Sequence, residues 1–155
     1  ARHLLPRYQQ RRTGLLVITA SAAGLMSMPG ALPYAVTKHA AVAMAEWLNF
    51  TYAEEGIHVS CLCPQGVQTN MIGDTDGGPA GMDGILQPDD VARVTLEKVE
   101  EGRFMILPHE AVRTHMVGKA KDYERWLSGM RKIHDMFGKD MLRLGGVPLL
   151  GASRL

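Results

Sequence analysis

An α/β fold built on a parallel sheet is predicted by three features of the 155-residue chain. Short, continuous apolar runs alternate with longer stretches of helical pattern. The apolar runs end in small, polar or proline residues, and glycines punctuate the connections. Uninterrupted apolar runs of strand length suit strands covered on both faces, and their alternation with helices implies parallel crossovers with helices lying on the sheet.

Residues 1–12 are polar, dotted with leucine and helical in composition, but no capping residue precedes them, so they read as the end of a helix. Gly14-Leu15-Leu16-Val17-Ile18-Thr19-Ala20-Ser21 follows as a first strand, expected to be buried on both faces, with a small, polar end. A loop marked by Gly24, Pro29, Gly30 and Pro33 leads into an Ala-rich helix over 34–55, closed by Gly56 beyond its last turn. Residues 57–63 form a second buried strand, which Pro64 stops because proline cannot donate to a ladder. Five glycines and Pro79 fill 73–84, too glycine-rich for regular structure, and this segment reads as a mobile loop. Pro88-Asp89-Asp90 opens a further helix, with acids where the helix dipole favours them, and it ends near Gly102. A short third strand spans 103–107 before Pro108.

Over 110–137 the residues Val112, Met116, Ala120, Tyr123, Leu127, Met130 and Phe137 recur at steps of three, four or seven, which predicts one amphipathic helix with a dry face. Its opposite face mixes Arg113, Lys119, Lys121, Arg125, Arg131 and Lys132 with Asp122, Glu124 and Asp135, the pattern of a solvated surface and not of a nucleic-acid stripe. Residues 141–155 form an apolar tail without clear periodicity.

Seventeen Lys and Arg against sixteen Asp and Glu leave a net charge of +1, so no electrostatic excess points to nucleic acid. No run reaches the ~20 apolar residues of a membrane span, and no membrane partner is expected. Cys61 and Cys63 would project from the same face of one strand, where disulfides rarely form, which suits a reduced, cytoplasmic setting. Neither they nor the six histidines show metal-ligand spacing, so no metal is expected. The terminal Ser153-Arg154-Leu155 is similar to the peroxisomal Ser-Lys-Leu signal and offers an alternative address.

Chemistry concentrates around Tyr34 and Lys38, four apart at the start of the long helix, with Cβ atoms about 5–6 Å apart on one face. An ammonium beside a phenol favours the phenolate, which equips Tyr34 for proton transfer near neutrality. Ser21 ends a buried strand, where open α/β sheets place their ligand crevice, and its hydroxyl can hold a substrate oxygen.

Ser21 together with Tyr34-Ala35-Val36-Thr37-Lys38 resembles the serine and Tyr-x-x-x-Lys signature of classical short-chain dehydrogenases/reductases. The likeness extends from residue 1 to about residue 110 through the apolar strand, the small-residue helix and Pro64-Gln65-Gly66-Val67-Gln68-Thr69. It implies a Rossmann-like, doubly wound parallel sheet of which residues 1–140 are the C-terminal part of a single domain, with 141–155 as a tail. It further implies Tyr34 as general acid/base, Lys38 on the nicotinamide ribose, and Ser21 orienting the substrate oxygen. Pro64, Gly66, Val67 and Thr69 fall to the cofactor, as do Tyr34 and Lys38. Gln65 departs from the family pattern, standing where glycine is usual, and as an amide it can face a substrate pocket or solvent. The segment after Met71 corresponds to a substrate lid.

The implied activity is hydride transfer between NAD or NADP and a small alcohol or carbonyl. The glycine-rich pyrophosphate turn that such chemistry requires is not in this sequence. The resemblance puts it ahead of Ala1, in a segment of roughly 100 residues. Without that segment the first strand would expose an edge and an apolar face. The competing reading is a non-catalytic binding or scaffold protein that keeps the fold and lacks the dinucleotide site. Related enzymes pair the long helix across subunits, which implies a homo-oligomer, dimer or tetramer. Ala41, Met44, Ala45, Leu48 and Tyr52 are candidates for the shared face, although core burial produces the same pattern.

Overall fold

The computed structural model describes residues 2–73 and 75–143. The tail expected over 141–155 lies outside these residues except for the last helical turn, as does the Ser153-Arg154-Leu155 motif. In chain order the elements are α1 (Leu5–Arg11), β1 (Gly14–Thr19), α2 (Ala23–Met26), α3 (Leu32–Tyr52), β2 (Ile57–Leu62), β3 (Gly66–Val67) and β4 (Ile85–Leu86). They continue with α4 (Pro88–Glu100), β5 (Met105–Ile106), α5 (Ala111–Lys121) and α6 (Tyr123–Arg143).

β1, β2 and β5 form one parallel sheet with β2 in the middle, registered Gly14↔Ile57 through Thr19↔Leu62 and Leu62↔Ile106. The two faces of β2 are buried against different helices. Ile57, Val59, Cys61 and Cys63 meet Val42, Ala45 and Leu48 of α3, while Leu62 and Ile106 meet Val91 of α4. This is the three-layer arrangement the alternation of elements predicts. Each large apolar side chain fully buried here contributes about 1.5–3 kcal/mol.

β1 differs from expectation. Leu16 and Ile18 face α3, but Leu15 is 47% and Val17 42% exposed. β1 is paired on one edge only, and among the described residues no helix covers its second face.

The long helix begins at Leu32, two residues earlier than predicted, because Pro33 fits a first turn in which the N–H is unpaired anyway. It ends at Tyr52, and Ala53–Glu55 tighten into a 3-10 turn before Gly56, whose φ of +76° is open to glycine at no steric cost. Ala45 and Leu48 are 0% and 3% exposed in the core, so they do not belong to a subunit-facing surface. The large apolar residues that α3 leaves open are Leu32, Val36, Met44, Trp47 and Phe50.

Two further corrections concern the second half. The glycine-rich segment folds into a 3-10 turn over Gly78–Gly81 and then pairs β4 with β3 in a small parallel sheet. The amphipathic stretch is two helices, not one. Asp122 is extended (φ −151°, ψ 91°), and its side chain caps the new helix by accepting a hydrogen bond from Arg125 N at 2.9 Å. Of the seven apolar residues expected on a dry face only Val112 is buried; beyond the break, α6 meets the Gly78–Gly81 segment.

Candidate active site

Parallel pairing brings the C-terminal ends of β1, β2 and β5 to one edge of the sheet, where open α/β folds form their crevice. Pairing continues past the strands: Ala20 N donates to Leu62 O at 2.8 Å, Ala22 N to Pro64 O at 2.9 Å, and Cys63 N to Ile106 O at 2.9 Å. Ser21, Pro64 and His109 therefore meet at this edge. Ser21 is 8% exposed; its Oγ accepts from Ala23 N at 3.1 Å and donates to Pro64 O at 3.4 Å. The second bond is long, so redirecting the hydroxyl proton to another acceptor costs little.

Tyr34 and Lys38 sit on the first turns of α3. The Lys38 ammonium donates to Thr19 O at 3.1 Å and lies 5.6 Å from the Tyr34 ring centroid. One of its three donors is thus spent on holding it between the end of β1 and the phenol, leaving two for a ligand.

A histidine that sequence reasoning passed over supports the turn after β2. His109 is 5% exposed; its Nδ1 accepts from Gln65 N at 3.2 Å, which places the proton on Nε2, and Nε2 donates to Gly66 O at 3.1 Å. Burial holds the imidazole pKa below its ordinary value, with the carbonyl contact opposing. No spacing signal could reveal this clamp, since its partners are 43 and 44 residues away; only the position just beyond a strand end marks it.

Gln65 faces the cleft side. Its Nε2 donates to Asp83 Oδ2 at 2.8 Å, and His115 Nε2 approaches the same oxygen at 2.9 Å. Burial pushes the Asp83 carboxyl up, but the bonds from Gln65 and His115 outweigh it and hold the pKa below the usual carboxylate range. The amide oxygen Oε1 of Gln65 is buried without a hydrogen-bond partner among the described residues.

Ser21, Tyr34, Lys38, Pro64, Val67 and Thr69 all line one open cleft of about 2010 Å³, together with Gln65, Asp83 and His115. Gly66 does not line it. It is buried in β3, and a Cβ there would meet Ala80 O at 2.8 Å, so its glycine serves the close approach of two backbones. Among the described residues no group of three or more His, Cys, Asp or Glu could hold a metal ion, and no helix is long and apolar enough to cross a membrane.

Residues 1–78, which contain the serine, the tyrosine and the lysine, match the family model described as short chain dehydrogenase. The chain belongs to the short-chain dehydrogenase family. Family relatives include the 1-deoxy-11-beta-hydroxypentalenate dehydrogenase of Streptomyces exfoliatus, 33% identical over 83% of this chain and 47% of that protein. The 17-beta-hydroxysteroid dehydrogenase 13 of Rattus norvegicus is 30% identical over 86% of this chain and 44% of its own length. The chain thus spans about half the length of the curated short-chain dehydrogenases it matches. The fold is shared with a short chain dehydrogenase from Burkholderia cenocepacia solved in complex with NADP, at a TM-score of 0.70 and 16% identity, covering 83% of this chain and 52% of that one. A short chain dehydrogenase/reductase from Burkholderia phymatum solved with NAD gives a TM-score of 0.64 at 28% identity, covering 79% and 53%.

Proposed function

We propose that this chain supplies the acid–base machinery of an NAD(P)-dependent oxidoreductase that interconverts an alcohol and a carbonyl. The observation that carries the proposal is the Lys38 ammonium held between Thr19 O and the Tyr34 ring, in one cleft with the Ser21 hydroxyl. Relatives named as dehydrogenases of a hydroxypentalenate and a hydroxysteroid, and neighbours solved with NADP and NAD, support it.

The residues present fit the nicotinamide end of a dinucleotide. Lys38 has two free donors toward the cleft, and Pro64, Val67 and Thr69 line the wall beside Ser21. The cleft exceeds the roughly 300–1,000 Å³ of a single small-ligand pocket, as it must if cofactor and substrate share it. When bound, the dinucleotide supplies or accepts the hydride. Tyr34 then gives a proton to the substrate oxygen in reduction, or takes it in oxidation. Ser21 orients that oxygen by turning its hydroxyl proton from Pro64 O, and Lys38 stabilises the phenolate through its charge. His109 and Gln65 hold the turn and keep the wall in place. The apolar lining, with Met26, Met28, Met71, Met82 and Phe137, suits a substrate with an apolar body.

The same reading includes a cytoplasmic location, where the buried free thiols of Cys61 and Cys63 stay reduced, and a homo-oligomer paired through the open face of α3. The test of the chemistry is Tyr34→Phe in the full chain. Turnover is expected to fall by about 10²–10⁴-fold while dinucleotide binding persists. Turnover at the wild-type rate would remove Tyr34 from its role.

A further inference from the structure

Lys119 occupies a position on the cleft wall that acid–base chemistry does not use. Its ammonium donates to Leu25 O at 2.7 Å and lies 4.6 Å from the Trp126 ring centroid and 5.6 Å from that of Tyr123. One donor is occupied and two aromatic faces flank the charge, but among the described residues no carboxylate lies within ion-pair distance of it. The acids that share the cleft are otherwise engaged. Asp83 takes Gln65 and His115, Asp76 takes Gly78 N at 2.9 Å, and Asp122 caps α6. The wall therefore presents a half-buried cation without a counter-ion among the described residues, in a cleft that Met130, Ile133 and Phe137 also line.

The distance to the reacting end is set by α2. Ser21 is bound at the N-terminal end of that short helix through Ala23 N, and Lys119 at its C-terminal end through Leu25 O. The reach along the helix from Ala23 N to Leu25 O, together with the hydrogen bonds of 3.1 and 2.7 Å at its two ends, separates hydroxyl and ammonium by on the order of 10 Å.

We propose that Lys119 is an anion-recognition site for the substrate, and that the enzyme prefers an alcohol or ketone whose apolar skeleton ends in a carboxylate on the order of 10 Å from the reacting carbon. This rests on the oxidoreductase reading above. A carboxylate would take the ammonium's remaining donors in a setting where apolar neighbours limit competition from water, while the aromatic faces keep the side chain pointed at the cleft.

The test compares 8-oxononanoate, its methyl ester and nonan-2-one with the full chain. Affinity is measured by calorimetry, and reduction is followed as NADH or NADPH oxidation. Reduction of the ester or of nonan-2-one by the wild-type chain tests the oxidoreductase reading by itself. The ratio of acid to ester affinity tests Lys119. The acid is expected to bind about tenfold tighter than the ester, with an advantage that shrinks as salt is added. Lys119→Gln, which keeps a donor for Leu25 O but removes the charge, is expected to bring the ratio near one, and Lys119→Arg to retain most of it. Equal affinity of acid and ester in the wild type, absence of saturable acid binding, or an undiminished ratio in Lys119→Gln overturns the proposal, whatever the fate of turnover. Lys38, Lys121 and Arg125 also line the cleft, so where Lys119→Gln does not fold, Lys119→Met, which keeps the apolar stem without the charge, is read for the same ratio with the same expected and overturning outcomes.

Discussion

A methyl group at Gly24 would lie 2.5 Å from the backbone oxygen of Lys38, so this glycine sets how closely α2 can approach α3. Ala23, its neighbour, anchors Ser21, and Lys38 belongs to the proposed catalytic pair, so this contact bears on the spacing between serine and lysine. Gly24→Ala is expected to destabilise the fold by about 1–3 kcal/mol in urea unfolding, with a larger loss of turnover than stability alone explains. His109 makes a second residue-scale prediction. Its folded pKa is depressed, chiefly by burial, so the stability it contributes is present above the ordinary histidine value and is lost as pH falls through the depressed one. Melting temperature should drop as pH falls below the ordinary histidine value of about 6.5, and His109→Gln, which keeps an acceptor and a donor without titrating, should flatten that profile. The two kinds of residue differ in how readable they were. Ser21, Tyr34 and Lys38 announce themselves because their relation is local in sequence, a turn of helix and a strand end. His109 and Lys119 do not, because their hydrogen-bond partners are reached through the fold, 43 to 94 residues away.

Among the elements, the strands and crossovers were legible and the break between α5 and α6 was not. Tyr123, Leu127 and Met130 continue the apolar period begun by Val112 and Met116, so periodicity ran straight across Asp122. The local sign was the aspartate itself, whose carboxylate satisfies Arg125 N and so starts a new helix. Asp122→Ala is expected to cost about 1 kcal/mol in thermal or urea unfolding, while Asp122→Asn, which can cap equally well, costs a few tenths. β1 illustrates a different limit. A continuous apolar run shows that both sides of a strand can be covered, but not which cover is present; here the side of Leu16 and Ile18 is packed and that of Leu15 and Val17 is open.

For the molecule as a whole, the open apolar residues of α3 lie on the side away from the sheet. Val36, Met44, Trp47 and Phe50 are 58%, 48%, 51% and 70% exposed. On the proposed homo-oligomer paired through this face, Trp47→Glu combined with Phe50→Glu is expected to lower the sedimentation coefficient to that of a monomer; the same coefficient in variant and wild type would remove this face from that role. Of the residues the sequence offered for a shared face, Ala45 and Leu48 point inward, which is the core burial that the same spacing also allows. The hydrogen bond from Ser21 to Pro64 O and those from Gln65 and to Gly66 at His109 each close a loop of more than forty residues. Such closures come late when a chain condenses, because entropy must be surrendered before the contact rewards it. A protein recovering from denaturant should therefore regain its helical far-ultraviolet ellipticity well before it can bind or turn over anything, with the sheet's apolar faces open to other chains through that interval.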